Sequence, residues 1–129
     1  MSDAATVDDE ILGRLRDICR RFPGADEGEL QDRPLFRVGR RRFAIFNGAT
    51  FDHRPGWAAP GCSLHFLADP GEIDALRHDG RFSPSPHHDD RGWLTLGLED
   101  AESTDWAEIG ELLESAYRQV APRHRQGGR

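Results

Sequence analysis

The sequence predicts an α+β fold: one two-layer domain with a mainly antiparallel sheet flanked by helices, in the order α-β-β-β-α-β-β-α. Three observations lead there. A chain of 129 residues has the length of a single domain. Apolar residues recur every three or four positions most clearly near its two ends, which is the period of a helix packed on one side. Between those ends lie short alternating runs punctuated by Gly and Pro, which read as strands and turns. No internal repeat or second domain is visible. The domain is expected over residues 1–122, with 123–129 a disordered tail.

The first helix is expected from about Val7 to Arg21. Val7, Ile11, Leu15, Ile18 and Phe22 form one apolar stripe. Thr6 is placed as its N-cap, Asp8, Asp9 and Glu10 suit the positive end of the dipole, and Pro23–Gly24 stops it. Residues 25–33 read as a polar, acidic loop. Leu35–Val38 and Arg42–Phe46 read as strands of a hairpin turning at Gly39–Arg40. By alternation, Phe36 shares a face with Val38, and Phe43 with Ile45.

"NGATFDHRPGWAAPG" is a long loop, and Cys62–Ala68 is the third strand. Asp69 is expected to cap a short helix, with Pro70 in its first position, ending near His78 before Gly80. "RFSPSP" suits an edge strand because Pro cannot donate to a ladder. Trp93–Leu98 is a further strand. The last helix starts at the cap Asp105, carries Trp106, Ile109, Leu112, Leu113, Ala116, Tyr117 and Val120 in one stripe, and stops at Pro122.

Composition narrows the function. Net charge is −6 with a pI near 5.4, which opposes non-specific binding to duplex DNA. The charge is uneven, however. Residues 33–54 contain Arg33, Arg37, Arg40, Arg41, Arg42 and Arg54 against the single acid Asp52. Every fixed cation is an arginine, the side chain best suited to bidentate anion contacts. No apolar run is long enough to span a membrane, and the acidic N-terminus has no signal-peptide pattern. Cys19 and Cys62 form no CxxC pair, as expected of a reduced cytoplasmic protein. Cys19, on the apolar side of the first helix, is expected to be a buried, inert thiol.

Three stretches carry a resemblance. "FPGADEGE" follows the first helix. "LFRVGRRRFAIF" presents Phe36, Val38, Arg41, Phe43 and Ala44 in an F-x-V-x-x-[RK]-x-F-A pattern. "FSPSPHHDDRGWLTLGL", with Arg91–Gly92–Trp93 matching [KR]-G-W, is followed by a last helix bearing Trp106, Leu112, Leu113, Ser115, Tyr117 and Pro122. In their order and spacing, over about Ile11 to Pro122, these make the chain resemble the MmcQ/YjbR family of small bacterial proteins, usually described as DNA-binding. The resemblance implies an α/β fold with a wing-like sheet, similar also to the frataxin-type two-layer arrangement. It brings no catalytic residue with it.

The remaining motifs are weighed by geometry. His87, His88, Asp89 and Asp90 are metal-ligand types, but adjacent side chains of an extended segment point to opposite faces. A site there would need a further ligand such as His65 or Glu27, so the stretch reads as a loop and no metal or cofactor is expected. Glu27 and Glu29 read as loop carboxylates, and no nucleophile triad, phosphate loop or dinucleotide fingerprint is found. Trp93 reads as a core residue and Trp57 as the more exposed one. The leading expectation is a monomeric, non-enzymatic DNA-binding or regulatory protein. Arg37, Arg40, Arg41 and Arg42 would meet phosphate, with Arg91 and Trp93 as neighbours. The alternative is a small-ligand or protein-interaction module with a pocket beside residues 84–93.

Overall fold

A computed structural model describes residues 4–30, 33–47, 62–84, 92–98 and 100–121. Among these residues, three helices, α1 (Ala4–Cys19), α2 (Ile73–His78) and α3 (Trp106–Val120), accompany six strands. These are β1 (Ala25–Leu30), β2 (Arg33–Val38), β3 (Arg41–Asn47), β4 (Cys62–Leu67), β5 (Phe82–Pro84) and β6 (Trp93–Leu98). They form one sheet in the order β1-β2-β3-β4-β6-β5, and every neighbouring pair is antiparallel. The predicted α+β class holds, with one strand more than the sequence suggested.

That strand is β1, which the sequence reading assigned to a loop. Its residues, Ala-Asp-Glu-Gly-Glu-Leu, lack the apolar alternation that identifies strands. It forms because a full six-residue ladder with β2, Ala25↔Val38 to Leu30↔Arg33, satisfies its backbone. Lying at the sheet's edge, it can keep its carboxylates in water.

The helix starts also differ. α1 already includes Ala4, so Thr6 lies within it and not at the position before its first turn. At its far end the chain tightens: Arg21 N–H donates to the Ile18 carbonyl (3.2 Å) and Phe22 N–H to that of Cys19 (3.0 Å), both i to i−3 bonds. α2 begins at Ile73. Asp69 instead folds back on a turn, its Oδ1 accepting from Gly71 N–H at 2.8 Å. α3 starts as expected, with the Asp105 side chain accepting from Glu108 N–H at 3.2 Å. Among the described residues no helix is long and apolar enough to cross a membrane.

Both long helices pack on one side of the sheet. Ile11, Leu15 and Cys19 from α1 and Ile109, Leu112, Leu113 and Ala116 from α3 close over Phe36, Phe46, Leu64, Phe66, Leu94 and Leu96. Phe43 joins this layer although alternation predicted it beside Ile45. The register between β2 and β3 slips, with Phe36 opposite Ala44 but Arg37 opposite Arg42, so Phe43 is an extra residue. A bulge of this kind turns it toward the helices, where its ring meets Phe22 and Tyr117 edge-on. Ile45 stays on the opposite face with Leu35 and Trp93.

Candidate functional site

The hairpin β2–β3 turns at Gly39, whose φ of +62° lies in the left-handed region where a side chain is unfavourable. Arg40 and Arg41 beyond it are exposed, and Arg42 is half-buried. Pairing decides where each points. Arg42 lies opposite Arg37, on the sheet face away from the helices, whereas Arg41 lies opposite Val38 on the helix side. There Arg41 Nη2 donates to the Gln119 carbonyl at 3.1 Å. A cation is favoured at this end of α3, where carbonyls lack helical partners. Arg37 is ion-paired across the ladder with Asp26 at 3.1 Å.

The other sequence-selected residues divide. Trp93 is only 5% exposed, packed with Leu35 and Ile45, so its ring belongs to the core in this arrangement. Gly92 before it has φ +90°, and a Cβ there would sit 3.3 Å from Ile73 Cδ1. The [KR]-G-W glycine therefore has a backbone reason, and its carbonyl accepts from Ala68 N–H at 2.9 Å. Arg91, the His87–Asp90 stretch, Trp57 and the tail lie outside the described residues, as does most of the loop beside the alternative pocket. Among the described residues no three metal-ligating side chains cluster. Glu27 is held by Arg16 through two bonds of 2.8 Å. Cys19 is 3% exposed, and burial pushes its thiol up to about 12.

Sequence reasoning missed a row of buried polar groups on the face away from the helices. His65 is 2% exposed. Its Nε2 lies 3.2 Å from Ser63 Oγ and its Nδ1 lies 3.1 Å from Thr95 Oγ1. Asn47 pairs with Ser63 across the ladder and accepts at Oδ1 from Arg33 Nε at 2.6 Å. Arg33 and Asn47 are as buried as the apolar core. The row exists because alternation along β4 sends Cys62, Leu64 and Phe66 to the helices and Ser63 and His65 the other way. The only trace in the sequence is two polar residues at alternate positions of a strand otherwise apolar.

With the geometry in view, comparison with known proteins is decisive for the family. The YjbR family model matches residues 20–119. The chain belongs to the YjbR family. Two crystal structures share the fold. One is Deinococcus radiodurans protein DR2400, of domain family DUF419, at 23% identity, TM-score 0.67, and 88% of this chain over 80% of that one. The other is a Pseudomonas syringae protein at 14% identity, TM-score 0.63, and 84% over 97%. Identities this low carry the fold and not the activity. No curated protein matches the chain. The matched span begins at Arg20 and so covers the sheet, α2, and α3 almost to its end, leaving α1 outside.

Proposed function

We propose that this YjbR protein is a non-enzymatic nucleic-acid-binding regulator that meets phosphate through the β2–β3 hairpin. One observation carries the reading: the ladder sets Arg42 beside Arg37 on one face, with Arg40 in the turn next to them. Three guanidinium groups thus gather at one end of an acidic protein. Arg40 and Arg42 are the phosphate contacts, Arg41 anchors the hairpin on α3, and Arg37 is a reserve charge held by Asp26. The non-enzymatic part rests on the hydroxyl–imidazole–hydroxyl chain of Ser63, His65 and Thr95. Its spacing is that of an activated nucleophile. Ser63 is fully buried, however, out of reach of a substrate.

The test is a titration of duplex and single-stranded DNA at two salt concentrations. Each lost phosphate contact on a duplex lowers the log–log salt slope by about 0.9. Arg40→Ala with Arg42→Ala should therefore flatten it by roughly two contacts, about 1.8. Asp26→Asn should tighten binding by releasing Arg37. Absence of binding to either DNA at low salt would remove the proposal.

A further inference from the structure

A cleft of about 240 Å³ opens between the C-terminal half of α1 and the edge strand β1. It lies apart from the hairpin tip, and nothing above assigns it a role. Its floor is Phe36 and Cys19, both 3% exposed, with Ala25 beside them. The Cys19 thiol stays protonated there, so the floor carries no charge. The rim is charged: Arg16 and Arg20 on the helix and Glu27 on the strand, while Asp26 beside it turns its carboxylate to Arg37 on the other face of the sheet. Glu27, from the "FPGADEGE" stretch, is thus a wall of the cleft.

The rim groups are not equally committed. Arg16 and Glu27 form a two-bond pair, which fixes the carboxylate facing the cleft while leaving lone pairs on both oxygens. Arg20 is 73% exposed, and its nearest acid, Asp17, is 3.7 Å away, too far for a hydrogen bond. One side of the cleft therefore offers an oriented acceptor and the other a cation with unused donors, above an apolar floor. The volume falls below the roughly 300–1,000 Å³ of sites for drug-sized ligands, so the occupant is compact.

We infer that this cleft binds a free α-amino acid with a small apolar side chain. The ammonium group meets Glu27, the carboxylate meets Arg20, and the side chain rests on Phe36, Ala25 and Cys19. Charge of both signs on the rim suits a zwitterion: a lone anion would meet Glu27, and a lone cation would meet Arg16 and Arg20. The inference rests on the cleft alone and stands or falls apart from phosphate binding at the hairpin.

The experiment titrates alanine, valine and leucine into the full chain, reading backbone amide chemical shifts and thermal unfolding. N-acetyl-leucine, which lacks the ammonium, and leucinamide, which lacks the carboxylate, are the controls. At least one free amino acid should give saturable shifts in residues 16–20 and 25–27 and raise Tm, with both derivatives at least tenfold weaker. Arg20→Gln, an exposed change, should leave the ligand-free Tm unmoved and weaken binding about tenfold. Four results would each overturn the inference: no saturable shift with any of the three, equal binding by either derivative, shifts centred elsewhere, or undiminished binding by Arg20→Gln.

Discussion

One sheet presents two faces that both contain buried side chains but hold them in different ways. Toward the helices, Phe43, Phe46, Leu64, Phe66 and Leu94 lie within one apolar cluster. Away from the helices, an apolar trio of Leu35, Ile45 and Trp93 adjoins the buried polar groups Arg33, Asn47, Ser63 and His65. The first face is stabilised in proportion to the area it removes from water, so its cohesion is spread over many contacts. The second depends on hydrogen bonds between specific atoms. Their net contribution is modest while complete, and each buried group is costly once its partner is gone.

Truncating the apolar face should have the largest effect. Phe66 is 1% exposed, and its ring meets that of Phe82 edge-on at 5.9 Å. Phe66→Ala should cost about 3–5 kcal/mol, combining lost transfer energy with a cavity. Urea unfolding measures it, and a loss below about 1 kcal/mol would mean that the face tolerates voids in a way close packing does not.

The polar face should respond less, and in a different manner. His65→Ala strands the buried Ser63 hydroxyl and removes the partner of the half-buried Thr95 hydroxyl, and about 1–3 kcal/mol is expected. The sharper comparison is a cycle with Ser63→Ala. If Ser63 and His65 act as a unit, the double variant loses less than the sum of the singles. Strict additivity would show that the two faces are held alike after all.

The same contrast explains what the sequence disclosed. The last helix was readable because its stripe, cap and stop agree: Asp105 caps, and Ile109, Leu112, Leu113, Ala116 and Val120 are all buried. The hairpin was readable from Gly39 and its flanking apolar residues. Phe43 was misassigned because a bulge, which is a property of pairing, overrides alternation along one strand. β1 was hidden because nothing apolar marks it; its pairing with β2 makes it a strand. The cleft and the polar row were hidden for a related reason. Arg16 and Glu27 are 11 residues apart, and His65 and Thr95 are 30 apart, so both contacts arise only when the sheet and helix assemble. The arginine cluster was visible in composition, but its division between Arg42 and Arg41 across the sheet required the register.

A smaller effect should follow at the start of α3, which supports the apolar face from outside. Asp105→Ala removes the acceptor for Glu108 N–H and should cost about 1 kcal/mol, with Asp105→Asn restoring most of it. Equal losses for both would assign the effect to the negative charge near the helix dipole and not to the cap.

The smallest effect at neutral pH concerns Cys19, where the apolar face reaches the floor of the cleft. Burial raises its thiol from 9.0 to about 12. At neutral pH the group is protonated folded and unfolded alike, so stability is unchanged there. Above pH 9 the unfolded chain ionises the thiol while the folded one resists. Stability should then fall, by at most about 1.4 kcal/mol per pH unit, until the folded thiol ionises near pH 12. A direct check is alkylation at pH 8 located by mass spectrometry. Native Cys19 should remain unmodified under conditions that label the denatured chain fully, because the thiolate is the nucleophile and is scarce in the fold. Rapid native labelling at Cys19 would mean that the cleft opens to the core. The division between a rigid apolar face and a ligand-accessible rim would then have to be redrawn through Cys19 itself.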